Sequence, residues 1–155
     1  MVELIIVLHN VSSSQKLIDF AKLAFQLNIK HLVVTKVGGV AAQAGLAEVS
    51  KIAYKLNKSF LIFPDLKDAI DLLSPDSVYL ITQQAEKEIS QREFENKKRI
   101  MLVFSGLESG FNKLELSLGE AYKLPNFTSD LPATAMLAVL TSCIISGEEF
   151  KKGKR

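Results

Sequence analysis

Two short runs, Val2–Leu8 and Ile100–Phe104, are apolar at nearly every position and rich in branched side chains. A strand with one wet face alternates polar and apolar residues; these runs do not. They call for burial on both sides, which a parallel sheet covered by helices provides. The rest of the chain alternates accordingly. Asn10 and Ser12-Ser13-Ser14 offer helix-capping oxygens. Leu17, Ile18, Ala21, Ala24, Phe25 and Leu27 then follow at helical spacing. His31–Thr35 reads as a strand, Gly38-Gly39 as a break, and Val40 to about Leu56 as a helix. A strand over Ser59–Phe63, a short helix opened by Pro64-Asp65 and a strand over Ser77–Ile81 continue the pattern.

Gln83–Arg99 is helix-compatible but has only Ala85, Ile89 and Phe94 to bury, which puts it at the surface. Ala121–Leu124 reads as a brief last strand. Pro132 to about Phe150 reads as a helix apolar on almost every side, either sunk in the core or facing another subunit. Strands alternating with helices give an α/β fold, a mainly parallel sheet with helices on both faces. With 155 residues, 48% of them hydrophobic and 23% charged, the chain suits one packed domain and excludes a disordered tail, a collagen-like fibre or a coiled coil.

The formal charge of +2 suggests an anionic partner, but its source is local. Lys151, Lys152, Lys154 and Arg155 hold four of the 19 basic groups, so residues 1–150 carry 15 against 17 acidic ones and are net −2. The domain is therefore read as 1–150, with 151–155 as a basic tail. A lone cysteine, Cys143, allows no intramolecular disulfide and is expected to be buried and inert in its apolar run. No secretory leader and no membrane span are expected, which makes the chain cytoplasmic.

Ligands of parallel α/β sheets lie beyond the carboxyl ends of the strands. That rule selects Leu8–Ser14, Thr35–Gly39, Thr82–Gln84, Ser105–Gly110 and Leu124–Leu131. No metal site is expected, because two histidines and one cysteine lack ligand spacing. Gly38-Gly39 is followed by no dinucleotide or phosphate-loop pattern, and no serine sits in a nucleophile elbow. Pro75-Asp76 followed by Glu95-Asn96-Lys97 imitates the pattern of magnesium-dependent RecB-like nucleases. There, two carboxylates hold the ion and a lysine helps activate water.

The last third carries the stronger signal. Val103–Phe111 is a buried strand entering a Gly-Leu-Glu-Ser-Gly turn, Tyr122-Lys123-Leu124-Pro125 leads into a loop, and Asp130-Leu131-Pro132-Ala133-Thr134-Ala135 opens the apolar helix. This resembles the C-terminal half of the SPOUT (SpoU–TrmD) methyltransferases. Leu8-His9-Asn10 through Ala21 and Phe25 looks like the first motif of the SpoU branch. The resemblance implies a C-terminal trefoil knot, S-adenosylmethionine as cofactor, RNA (tRNA or rRNA) as substrate, and a homodimer through the 132–150 helix. It also implies that Thr82, Ser105, Gly106, Leu107, Gly110, Leu124, Leu131 and Thr134 lie against the cofactor.

Asp19 stands where the ribose-methylating branch has its arginine, and Pro132 where that branch has asparagine. Asp19, Glu108 and Asp130 are then the candidates for a base toward a nucleobase nitrogen. As plain structure, they read as a helix-surface carboxylate, a turn residue and a cap. The alternatives are a non-catalytic α/β ligand-binding or regulatory domain and, third, the nuclease.

Overall fold

The computed structural model describes residues 2–145. Its elements in chain order are β1 (Glu3–His9), α1 (Ser14–Ala24), β2 (His31–Thr35), α2 (Gly39–Leu56), β3 (Phe60–Phe63), α3 (Leu66–Leu73) and β4 (Ser77–Ile81). After a single 3-10 turn at Gln91–Phe94 come β5 (Arg99–Ser105), α4 (Lys113–Leu116), β6 (Glu120–Tyr122) and α5 (Ala133–Val139), which widens into a π-helical turn over Leu140–Ile145. The six strands form one sheet in the order β3-β2-β1-β5-β4-β6. Every pairing is parallel.

The two apolar runs are neighbours at the centre. Glu3 pairs with Arg99 and the register holds through His9 and Ser105. Alternation then sorts the side chains. Leu4, Ile6, Leu8, Ile100, Leu102 and Phe104 face the layer that contains α1, α2 and α5. Ile5, Val7, Met101 and Val103 face α3 and the segment around α4. Each such buried side chain contributes roughly 1.5–3 kcal/mol relative to exposure, which explains why positions 4–8 and 100–104 are all apolar.

Three segments differ from their sequence-based reading. Gln83–Arg99 forms no α-helix. The backbone N–H of Lys123 donates to the Lys87 carbonyl and that of Ile89 to the Lys123 carbonyl, so the chain runs extended beside the segment after β6. The π turn interrupts the C-terminal helix at Leu140. There the Thr141 hydroxyl donates to the carbonyls of Leu137 and Ala138, competing for acceptors a regular helix would use. Cys143 is exposed rather than buried, because Leu137, Leu140 and Thr141 take the inward face. The reading of a helix beyond Ile145 and of the 151–155 tail falls outside the described residues. No described helix is long and apolar enough to cross a membrane.

Candidate functional site

Parallel strands bring all their carboxyl ends to one edge, and the sheet order changes direction between β1 and β5. At that switch point lies a cavity of about 330 Å³, within the usual size of small-ligand sites. Leu8 from β1, Ile81 from β4 and Phe104 from β5 form its floor. Ser105, Gly106, Leu107 and Glu108 form one wall, Asp130 to Thr134 with Met136 another, and Lys16 of α1 completes the lining.

Local chemistry builds each wall. Asn10 leaves β1 in the left-handed region at φ 64°, and Ser13 caps α1 by accepting from the Lys16 N–H. After β5, the Ser105 hydroxyl donates to the Gly110 carbonyl at 3.1 Å and accepts from the Leu107 N–H at 3.1 Å. Gly110 closes this turn at φ 77°, a conformation glycine adopts without strain.

The segment after β4 clips the other two loops together. The Gln83 amide donates to the carbonyls of Leu124 and Phe127 at 2.8 Å each, and its oxygen accepts from the Leu124 N–H at 2.7 Å. Gln84 accepts from the Phe111 N–H at 3.2 Å. Asp130 accepts from the Gln83 N–H at 2.6 Å and from the Thr82 hydroxyl at 3.2 Å. Thr82–Gln84 was legible as a loop at the sheet edge; these amide clips were not, since their partners are 27 to 44 residues away.

Of the residues singled out from sequence, the structure brings Ser105, Gly106, Leu107, Glu108, Asp130, Leu131 and Thr134 onto the cavity lining. Thr82 is buried behind it, bonded to Asp130. Gly110 sits in the turn supporting the wall, and Leu124 lies in the core. Asp19 is exposed on α1, accepts from the Gln15 amide at 2.8 Å, and does not line the cavity. Lys16, one turn earlier, does, and nothing in the sequence marked it.

Asp130 is thus committed to holding the loops together. Asp130→Ala deprives the Gln83 N–H of its acceptor and leaves the buried Thr82 hydroxyl only Gln84 Oε1, at 3.1 Å. Equilibrium unfolding in urea should show a loss of about 1–3 kcal/mol.

On the opposite face of the sheet, His9 is fully buried between two partners. Its Nδ1 lies 2.7 Å from Thr35 Oγ1 and its Nε2 2.7 Å from Glu115 Oε2. An ionised Glu115 only accepts, so Nε2 carries a proton. Glu115 Oε1 also accepts from the Asn112 N–H, closing a capping box on α4.

The nuclease-like residues lie elsewhere. Asp76 precedes β4 at the amino-terminal edge of the sheet, away from the cavity. Its carboxylate accepts from the N–H groups of Lys98 at 2.6 Å and Arg99 at 3.0 Å. The Arg99 and Lys98 N–H groups hold its pKa below the usual range for aspartate. Glu95 and Lys97 sit in the turn before β5. Among the described residues no three His, Cys, Asp or Glu side chains are grouped to hold a metal ion. Both backbone bonds fall on one carboxylate oxygen of Asp76, Oδ2.

Comparison with known proteins gives two kinds of likeness. Residues 39–143 match the model of a family described as RecB-family nuclease (DUF2122). A protein of Aeropyrum pernix, provisionally named type II restriction enzyme ApeKORF2002P, is 46% identical over 109 residues, covering 69% of this chain and 70% of the relative. Among solved structures, a probable methylase family protein from Haemophilus influenzae has a TM-score of 0.69 at 21% identity, covering 100% of this chain and 69% of that one. The SpoU methyltransferase AviRb from Streptomyces viridochromogenes, solved in complex with AdoMet, has a TM-score of 0.69 at 12% identity, covering 94% of this chain and 58% of that one. At such identities the likeness establishes a SPOUT-like α/β fold.

Proposed function

Although the chain belongs to the family described as RecB-family nuclease (DUF2122), we propose that it is an S-adenosylmethionine-dependent methyltransferase of the SPOUT class. The observation that carries this reading is the cavity at the β1/β5 switch point. The apolar residues Leu8, Ile81, Phe104, Leu131 and Met136 supply a slot for a flat heterocycle, with residues 105–108 and 130–134 along its sides. Those residues suit S-adenosylmethionine, which supplies an electrophilic methyl group on a sulfonium. The chain's own residues must then align a nucleophile and accept its proton. Of the three carboxylates considered, Glu108 is both exposed and on the cavity wall, so it is the base in this reading. Asp130 serves the loops, and Asp19 lies outside.

The same reading takes 1–150 as one domain, RNA (tRNA or rRNA) as the substrate, and a homodimer through the 132–150 helix as the working form. Lys36, Lys113 and the 151–155 tail are the basic groups offered to RNA phosphates. The course of the chain supports a C-terminal knot. From β5 it passes to the face of Phe111 and Leu116, forms β6 at the sheet edge, and crosses beside the 82–89 segment to reach the opposite face as α5.

Thermal unfolding tests this directly. Saturation with S-adenosylmethionine at about 100 times its Kd should stabilise the native state by about 2.7 kcal/mol, raising Tm by roughly 5–10 °C, while magnesium alone gives no shift. The name of the Aeropyrum relative favours the second reading, a nuclease. If the protein nicks DNA only with magnesium, Asp76→Ala abolishes the nicking and S-adenosylmethionine gives no shift, the nuclease reading replaces the methyltransferase.

A further inference from the structure

We propose that Lys16 is the anion anchor of the cavity, its ammonium holding an oxyanion of the bound ligands. The oxyanion is either the carboxylate of the cofactor or a backbone phosphate of the substrate. The inference rests on the methyltransferase reading and adds a residue which that reading does not use.

The charges on the cavity wall are distributed unevenly. Glu108 and Asp130 come from the loops after β5 and β6, and Lys16 alone comes from α1. Asp130 is already taken up by Thr82 and Gln83. None of the ion pairs among the described residues includes Lys16. Asp19, at i+3 on the same helix, is instead bonded to Gln15.

Local helix chemistry does not explain this lysine either. It is the third residue after the Ser13 cap, in a first turn that contains no acidic side chain. A cation gains nothing there, because the helix dipole favours carboxylates at that end. Its exposure at the rim leaves the long stem able to reach an incoming ligand. A molecule spanning the cavity would therefore meet negative charge on the loop side and positive charge on the α1 side. Sulfonium and ammonium groups suit the first; a carboxylate or phosphate suits the second.

Calorimetric titrations of the unaltered protein and of Lys16→Ala and Lys16→Arg decide the matter, using three probes. These are S-adenosylmethionine, 5′-deoxy-5′-methylthioadenosine (which lacks the amino-acid carboxylate), and bulk transfer RNA across a salt series. If the anchor takes the carboxylate, Lys16→Ala binds S-adenosylmethionine about tenfold more weakly, Lys16→Arg restores it, and methylthioadenosine is unaffected. If it takes a phosphate, S-adenosylmethionine binding is unchanged and the salt slope for RNA becomes shallower by about 1. Equal affinities for all three proteins overturn the proposal, as does a parallel loss for S-adenosylmethionine and methylthioadenosine, which would mark a packing role. If the unaltered protein does not bind S-adenosylmethionine, the cofactor reading fails and takes this inference with it.

Discussion

Glu115→Ala should lower the unfolding free energy by about 1–3 kcal/mol, because a buried donor on His9 is left without an acceptor. In a domain of this size that corresponds to a Tm lower by roughly 2–12 °C. His9 is fully buried, and the truncation removes the acceptor of its Nε2–H. The Asn112 N–H loses its acceptor in the same step. Since α4 follows the 105–108 cavity wall within five residues, the damage should reach that wall from the far face of the sheet.

The conservative change separates two descriptions of the pair. In Glu115→Gln, a neutral His9 can switch tautomer. The new amide donates to Nε2, and Nδ1–H donates to Thr35 Oγ1. Most of the stability should then survive, within about 1 kcal/mol, and the tautomer change should appear in the imidazole ¹⁵N shifts. A loss as large as that of alanine would mean that a protonated His9 needs the full carboxylate charge.

The central sheet was readable because two-sided burial leaves a mark that helices and wet strands do not. The run at Ile100–Phe104 lies wholly within β5, and the strand expected at Ser77–Ile81 has those bounds in the structure. The loops around the cavity followed from the same reading, since parallel strands put all their carboxyl ends on one side. What stayed hidden depends on groups distant in sequence. Gln83–Arg99 has helix-forming composition, yet Gln83 and Gln84 spend their amides on loops 124–127 and 111 and its backbone pairs with Lys123. Asp76 and Glu95 imitate the spacing of a nuclease pair, and only the fold shows that Asp76 is bound to backbone N–H groups. Nothing near His9 in sequence points to its partners, and only the fold shows Thr35 and Glu115 around it. Lys16 was invisible because which face of α1 meets the cavity is set by how the helix docks.

Gly106→Ala should cut the thermal shift produced by S-adenosylmethionine to about half or less while leaving a folded protein. A methyl group at this position would stand 2.7 Å from the Asn10 carbonyl oxygen and 3.0 Å from both Cα and Cβ of Val11. Two of these three atoms are backbone, so no side-chain rotation relieves the clash. The Gly106 N–H also donates to the His9 carbonyl at 2.8 Å, which ties the two segments together at this point. They must separate by several tenths of an ångström, and overpacking of this kind costs about 1–3 kcal/mol. The Gly106 side of the gap is cavity wall, and the other side leads through Ser13 to Lys16. Forcing them apart alters the width of the slot and the position of both walls at once. Misplacement on that scale in a preorganised site should weaken S-adenosylmethionine binding by at least about tenfold. Unfolding in urea and calorimetric titration of the same sample check the two effects separately. If Gly106→Ala is as stable as the parent and binds equally well, the β1–α1 and β5–α4 segments slide freely past each other, and the cavity walls are not fixed by this contact.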